Sequence, residues 1–521
     1  ANADSELLDP VTAAHIGIRA PGFRPLVPLE DTGAAGAAQI QCATCHDPHI
    51  RDEDATAIAK FLRLNRFQQA SPLGGNFDPD TDIVCLSCHD KSGWNTSAHA
   101  SPAIANETYT PAASAQREFP TALPVWQAAC LNCHDIHTVH GSRRLLREGT
   151  DSIGSPKSGG NAALEETCYQ CHTAIPVVTN AANEVKNIQT DFNLARHMPI
   201  TSLDQAAATE VHDIVDADCT EPQSLLGKTS QTNRHAECTD CHNPHRVMRN
   251  TVFNDTGLIQ ATHEHAANHS NIASGALRGS WGVEPIYGST AFPSLPSNYL
   301  VKQGDGGLGA STEVNSLWVT REYQVCLKCH SDYAYLDTNA FPTGTRPNLT
   351  GTGGGTPPNT NGLTQYTNQA VEFQSPLIHT GEPAGLTGSG AGSNFEGGAN
   401  FNHRSWHPVM RETLRTTAVR SASAAAWLPP WNSAVGTQTM YCSDCHGSTT
   451  AAESVVPAGN NPWGPHGSAN DFVLKGTWDD QTGGQGRDNP APDPANGLCF
   501  KCHEKEASVS YTHLRAHETR Y

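Results

Sequence analysis

The chain has 521 residues, of which 37% are hydrophobic and 16% are charged, and its formal net charge at pH 7 is −19. This acidity argues against nucleic acid or an anionic membrane surface as the main partner. No run of 18 or more apolar residues occurs, so the sequence predicts no membrane span. Long amphipathic periods are few, and an ordinary globular core is therefore not expected.

Seventeen cysteines are present, and sixteen of them fall in eight copies of the pattern C-x-x-C-H. The copies are Cys42-Cys45-His46, Cys85-Cys88-His89, Cys130-Cys133-His134, Cys168-Cys171-His172, Cys238-Cys241-His242, Cys326-Cys329-His330, Cys442-Cys445-His446 and Cys499-Cys502-His503. This spacing is the attachment signature of haem c, in which two thiols bind one porphyrin and the imidazole binds its iron. Zinc knuckles and redox dithiols share the C-x-x-C pair, but neither requires a His after every second Cys. The sequence therefore predicts eight covalently bound haems.

Each haem iron has a second, distal position. A second His there gives a closed site suited to electron transfer, whereas an open position lets a small substrate bind. The candidates follow a repeat: one His lies upstream of each pair of motifs, and another lies three residues after the first motif of a pair. They are His15, His49, His99, His137, His197, His245, His407 and His466, where His466 replaces the missing His after the seventh motif.

The other His are expected to be mostly bystanders, although one or two could replace a candidate. They include His140, His212, His235, His263, His265, His269, His379 and His403. His235, His403 and His140 are the serious rivals. The cluster His263, His265 and His269 could bind a separate metal, with a solvated loop as the simpler interpretation.

Two further features allow more than one interpretation. The acidic stretch Asp78–Asp82 could hold Ca²⁺ through carboxylate oxygens, although a solvated acidic loop is favoured. Cys219 is the one cysteine outside the motifs. A spare thiol is the favoured role for it, and a cross-link between two subunits is the alternative.

The motifs read as four consecutive pairs, which predicts tandem dihaem modules. The modules are 1–95, 96–185, 186–345 and 401–508, and a Gly-rich insert or linker occupies 346–400. Residues 509–521 form a suspect tail, because 509–519 looks like a translated sequencing adapter; His513 and His517 therefore receive no role. The expected fold is mostly irregular, with short helices at the motifs, few short strands, and haems in place of an apolar core.

The doubled motifs and the Cys-His-x-Pro-His segments at 45–49 and 241–245 resemble those of multihaem c-type cytochromes of the doubled C-x-x-C-H type. These proteins serve periplasmic and extracellular electron transfer, and some polymerise into filaments called cytochrome nanowires. The resemblance implies bis-His ligation and closely stacked haems, alternating parallel and T-shaped. It also implies redox partner proteins or extracellular electron acceptors as partners, and a homopolymer as a further candidate state.

Because haem c is attached outside the cytoplasm, the chain is expected to be exported, to the extracellular space, the cell surface or the periplasm. An electron-transfer protein rather than an enzyme is predicted. The alternative is an octahaem reductase of nitrite, hydroxylamine or tetrathionate with one open haem. One such group has Lys in place of the motif His at its active haem, and all eight motifs here end in His.

Overall fold

The fold is known from a computed structural model. It describes residues 40–49, 60–71, 77–89, 93–137, 145–148, 164–182, 184–194, 212, 214, 236–256, 261–263, 265, 269–288, 295–334, 368–374, 407–412, 427–434, 437–470, 473–477 and 497–504. His15, His197, His140, His235, His379, His403, Cys219 and most of the 346–400 insert lie outside these residues.

Most of the described chain is irregular, and its helices are short. The α-helices are Cys42–Cys45, Pro111–Arg117, Val125–Ala128, Glu165–Tyr169, Gln189–Phe192, Cys238–Cys241, Glu322–Cys326, Gln369–Glu372 and Cys442–Cys445. Single 3₁₀ turns are Val84–Ser87, Trp94–Thr96, Ala98–Ala100, Ala129–Asn132, Gly275–Leu277, Trp431–Ser433 and Leu498–Lys501. A helix or 3₁₀ turn coincides with each of the eight motifs, which confirms the prediction of an irregular chain with short helices. No helix in this part of the chain has the length and apolar character that a membrane crossing requires.

The longest described helix, Pro111–Arg117, has conventional ends. The Thr110 hydroxyl accepts a hydrogen bond from Ala113 N, and Pro111 occupies the first helical position, where a missing amide hydrogen costs nothing. The helix ends at Glu118, whose φ of 54° is left-handed. These local signals explain why the helix forms where it does.

Two strands form one antiparallel pair in the described chain, β1 (Gly282–Tyr287) and β2 (Pro296–Lys302), with Gly282 opposite Lys302. The strand β1 packs directly on the helix Glu322–Cys326. A Cβ atom at Gly282 would lie 2.6 Å from the carbonyl oxygen of Gln324. Glycine therefore allows the sheet to touch the helix that carries the first Cys of the sixth motif.

A return segment follows three of the motifs in the same geometry. Its sequences are Phe61-Leu62-Arg63, Leu145-Leu146-Arg147 and Val473-Leu474-Lys475. In each, the first residue has a positive φ of 54–59° and its carbonyl accepts from the residue after the motif His. The amide of the basic residue donates to the second Cys of the motif at 2.7–2.8 Å. This recurrence is structural evidence for an internal repeat, whereas the predicted module boundaries stay a prediction.

A buried ion pair joins two parts of the chain that are distant in sequence. The Arg278 guanidinium donates to the Asp305 carboxylate at 2.8–3.1 Å, and both side chains are at most 7% exposed. Arg278 also donates to the Thr96 hydroxyl at 2.7 Å. The pair therefore ties the segment after the second motif to the loop that follows β2.

We expect Arg278→Met to destabilise the folded protein strongly, because the buried Asp305 carboxylate would lose its cation. Breaking a buried pair in this way costs about 3–5 kcal/mol. Thermal unfolding of the haem-loaded protein, followed by circular dichroism, should show a midpoint several degrees lower. The double variant Arg278→Met/Asp305→Leu should recover part of the loss, and a single variant as stable as the parent would contradict the role of the pair.

Candidate functional site

Each C-x-x-C-H motif is closed into one turn by the same backbone hydrogen bond. The amide of the motif His donates to the carbonyl oxygen of the first Cys at 2.9–3.0 Å in all eight motifs. Residues three and four positions apart lie on one face of such a turn. Both thiols and the imidazole of a motif are therefore held together, and none of the sixteen motif cysteines forms a disulfide.

The first cysteines of successive motifs meet in three places. Cys85 shares a hydrogen bond with Cys130, Cys168 with Cys238, and Cys326 with Cys442. These contacts join the second motif to the third, the fourth to the fifth, and the sixth to the seventh. All three cross a predicted module boundary.

In the other pairs of successive motifs, the cysteines that lie near each other are not both first cysteines. The pKa of Cys45 is raised by burial and by nearby Cys85 and Cys88. Burial raises the pKa of Cys133 to about 12, with Cys168 and Cys171 adding to the shift, and that of Cys241 to about 11, with Cys326 among the contributors. Burial likewise raises the pKa of Cys445 to about 12, with a contribution from Cys499. Each motif therefore has cysteines that lie near those of the next motif along the chain.

The structure brings a second imidazole opposite several motif imidazoles. The ring centroids lie 5.8 Å apart for His46 and His137, 6.1 Å for His134 and His245, and 6.1 Å for His242 and His466. Two imidazoles that each bind one metal at about 2 Å from opposite sides have centroids about 6 Å apart. The residues therefore fit a metal bound between two rings.

Among the even-numbered motifs, the sixth has a similar arrangement, and the fourth has a His nearby. His330 lies 6.3 Å from His212, centroid to centroid. His172 interacts with His99, which together with the larger effect of burial lowers the pKa of His172 to about 4. The sequence predicted His99 but grouped His212 with the bystanders. No local pattern distinguishes His212, because its hydrogen-bond partner Pro465 is 253 positions away.

Backbone carbonyls orient many of these rings. The Nδ1 atoms of His46, His172 and His242 donate to the carbonyl oxygens of Lys60, Lys186 and Ala276 at 2.8–3.2 Å. On the distal side, His99 Nδ1 donates to Pro244 O at 2.9 Å, and His212 Nδ1 to Pro465 O at 2.7 Å. A carbonyl can only accept, so Nδ1 carries the proton and Nε2 presents its lone pair. This is the tautomer and support that metal-binding His normally have.

His466 reaches its position because its loop covers the seventh motif. A Cβ atom at Gly447 would lie 2.5 Å from Trp463 O and 3.2 Å from Gly464 O. Gly447 has a φ of 142°, a conformation that L side chains rarely adopt. The seventh motif has Thr449 three residues after its His, and the loop that carries Pro465 and His466 lies against Gly447 of this turn.

Two further predicted distal ligands, His49 and His407, lie in different surroundings. The His49 side chain is 93% exposed, and its described contacts are to Asp47, with Nδ1 3.1 Å from Oδ1. His407 lies beside the seventh motif, because Pro408 O accepts from Met440 N two residues before Cys442. His15 and His197 lie outside the described residues.

The His263 cluster is buried, so the solvated-loop interpretation of His263 and His269 is wrong. Their Nε2 atoms lie 3.1 and 3.4 Å from one oxygen of Asp444, inside the seventh motif, and these atoms could hold a metal ion. His263 also stacks on Trp463, with centroids 3.8 Å apart. Desolvation lowers the pKa of His263 to about 4.

The Asp78–Asp82 stretch forms a loop that uses its own carboxylates. Asp82 accepts from Gln68 Nε2 at 2.8 Å and from Asp78 N at 2.9 Å, and Asp78 accepts from Asp80 N at 2.9 Å. These hydrogen bonds engage the carboxylates of Asp78 and Asp82 within and beside the loop, and a Ca²⁺ site there stays a prediction.

Comparison with known proteins adds nothing to this geometry, since no protein-family model, curated protein or solved structure matches the chain.

We expect the folded protein to lose stability in acid. Desolvation lowers the pKa of His466 to about 3, and burial lowers that of His172 to about 4. An unfolded His has a pKa of about 6.5. Below pH 6.5 the unfolded chain therefore binds protons that the folded chain does not, and the loss continues until about pH 3–4. Each such His should lower the free energy of unfolding by about 1.4 kcal/mol per pH unit in that window. Denaturant titrations of the haem-loaded protein from neutral to acid pH test this, and a constant midpoint would contradict it.

Proposed function

We propose that this protein is a c-type cytochrome that carries eight haems and conducts electrons along them. The observation that carries the proposal is the eightfold C-x-x-C-H motif, closed at every copy into the same hydrogen-bonded turn. Bound haem supplies an iron that accepts and releases one electron. The thiols of each motif would hold the porphyrin, and the motif His would bind the iron on one side.

The opposed imidazoles support electron transfer rather than substrate chemistry. Four of the eight motif His have a second imidazole at 5.8–6.3 Å, centroid to centroid: His46, His134, His242 and His330. A haem with imidazole on both faces has no position at which a small substrate can bind. At these four sites the arrangement favours an electron conduit over an octahaem reductase.

The linear order of the motifs supports the same function. Each motif has cysteines that lie near those of the next motif, close enough for a hydrogen bond between first cysteines or for an effect on their pKa values. Electrons would move between neighbouring haems in sequence order, from the first motif to the eighth or the reverse.

An exported location completes the proposal. Haem c is attached outside the cytoplasm, so the protein would act in the periplasm, at the cell surface or beyond it. Its partners would be redox proteins or extracellular electron acceptors. The proposal includes a homopolymer, in which the haems of successive copies would form one continuous row for electron transfer.

We expect the protein to carry eight haems per chain and Cys42→Ala/Cys45→Ala to carry seven. The first motif lies at an exposed end of the row, so its loss should leave the other motifs folded. Pyridine haemochrome absorbance per chain and intact mass would count the haems. Cys219→Ala is the matched control and should keep eight. A parent protein without covalent haem would refute the proposed function.

We expect His212→Ala to convert one iron per chain from low-spin to high-spin, because the sixth motif would lose the imidazole opposite His330. Electron paramagnetic resonance of the oxidised protein measures this change. His263→Ala is the control, since that His faces Asp444 rather than a motif His. If His212→Ala keeps every iron low-spin, His212 is not an axial ligand.

A further inference from the structure

A carboxylate inside the seventh motif has two buried histidines beside it. The Nε2 atoms of His263 and His269 lie 3.1 and 3.4 Å from Oδ1 of Asp444, and all three side chains are at most 3% exposed. His263 precedes Asp444 by 181 positions in the chain. Tertiary structure alone therefore brings these three ligand atoms together.

The other oxygen of Asp444 is already engaged. Asp444 Oδ2 accepts a hydrogen bond from Tyr441 N at 2.7 Å, at the start of the motif turn. This bond orients the carboxylate and leaves Oδ1 toward the two imidazoles. Asp240 of the fifth motif accepts from Glu237 N in the same way, at 2.8 Å. In the described part of the chain, however, Asp240 belongs to no group of three side chains that could hold a metal.

The hydrogen bond on the far side of His269 decides what its Nε2 presents to Asp444. His269 Nδ1 lies 2.8 Å from the carbonyl oxygen of Thr439. A carbonyl can only accept, so Nδ1 carries the hydrogen, and a neutral ring then has its lone pair on Nε2. This lone pair faces a carboxylate oxygen at 3.4 Å, and that oxygen is also an acceptor. Two buried acceptors so placed need a cation that both can bind, either a second proton on the ring or a metal ion.

The distances fit a metal ion. Zn²⁺ binds imidazole nitrogen at about 2.0–2.1 Å and carboxylate oxygen at about 2.0–2.2 Å in tetrahedral geometry, which puts two ligand atoms about 3.3 Å apart. The two distances between nitrogen and oxygen here are 3.1 and 3.4 Å, and all three ligand atoms lie within 4.8 Å of one another. Two imidazoles and one carboxylate are a set that Zn²⁺ accepts with water as the fourth ligand, whereas Ca²⁺ and Mg²⁺ prefer oxygen ligands throughout.

We propose that His263, His269 and Asp444 bind a divalent transition-metal ion of the Zn²⁺ type, separate from the haem irons. The ion would neutralise the buried carboxylate and tie the segment between the fifth and sixth motifs to the turn of the seventh. The site uses none of the thiols or motif imidazoles that the proposed function assigns to haem. It therefore goes beyond that function and does not depend on it.

The surroundings of the two histidines suit a metal site. Trp463 stacks on His263 with ring centroids 3.8 Å apart, and the ring of Trp431 lies 4.5 Å from that of His269. An apolar shell of this kind limits the access of solvent to a bound ion. The Thr439 carbonyl on Nδ1 of His269 is the support that a metal-binding His normally has.

A buried lysine near the site has partners of its own. The charge of Lys475 acts on Asp444, but its Nζ donates to Val455 O at 2.8 Å and lies 4.0 Å from the ring centroid of Trp463. The ammonium group thus balances part of the charge of the carboxylate from a distance. It does not stand between Asp444 Oδ1 and the imidazoles, where the ion would bind.

Metal analysis of the haem-loaded full chain tests the proposal. After treatment with a chelator, dialysis against Zn²⁺ and removal of the excess, each chain should hold one zinc and eight irons, counted by inductively coupled plasma mass spectrometry. X-ray absorption at the zinc edge should show nitrogen and oxygen ligands at about 2.0–2.2 Å. His263→Ala, His269→Ala and Asp444→Asn should each weaken zinc binding more than about 100-fold, because loss of an outer-shell partner alone costs about 10–100-fold.

Asp240→Asn is the matched control, because it changes the same position of another motif, and it should keep the zinc. All four variants should keep eight haems and the low-spin irons of the parent in electron paramagnetic resonance. A parent that binds no zinc, or variants that bind it as tightly as the parent, would overturn the inference and leave the eight-haem conduit standing. A new high-spin iron in His269→Ala would also overturn it, because that His would then be an axial ligand. Absence of covalent haem, with one zinc still bound through nitrogen and oxygen, would instead refute the proposed function and keep this inference.

Discussion

The amide of each motif His donates to the carbonyl oxygen of the first Cys, and this bond closes one helical turn at all eight motifs. It keeps two thiols and an imidazole on one face without a long helix to support them. The surrounding chain can then remain irregular, because each turn needs only a few flanking hydrogen bonds. Return segments such as Phe61-Leu62-Arg63 supply them by bonding to the second Cys of the motif.

Polar groups enclosed between the motifs are satisfied mainly by backbone carbonyls. Lys328 and Lys501 lie inside the sixth and eighth motifs, are at most 2% exposed, and donate to carbonyl oxygens of neighbouring segments. Glu322, before the sixth motif, accepts from the amide and hydroxyl of Ser443 in the seventh. Buried charge needs such partners to be tolerated. These bonds also fix one motif relative to the next, so the spacing of the row is set by polar contacts as well as by packing.

Sequence spacing was sufficient to predict the irregular fold and the short helices, because each C-x-x-C-H turn is a local structure. It also proposed His466 as the substitute for the missing His after the seventh motif, and the structure brings this ring 6.1 Å from that of His242, centroid to centroid. His212 was missed because the partners that position it are distant in sequence. The contacts between motifs could not be predicted from the sequence either, because a contact such as Cys168 with Cys238 depends on tertiary packing. The return segments share a sequence pattern, an apolar residue and Leu before a basic residue. Counting C-x-x-C-H motifs alone did not use this pattern.

The order of the motifs along the chain has a consequence for how damage to one site would affect electron transfer. Among the described residues each motif has cysteines that lie near those of the next motif in the chain. On the proposed function, an electron would pass through the haems one after another. The slowest transfer between two neighbouring haems would then limit the rate along the whole row. A site that lost its opposing His would therefore slow electron transfer to every site beyond it, so the most vulnerable site would set the tolerance of the whole chain to damage.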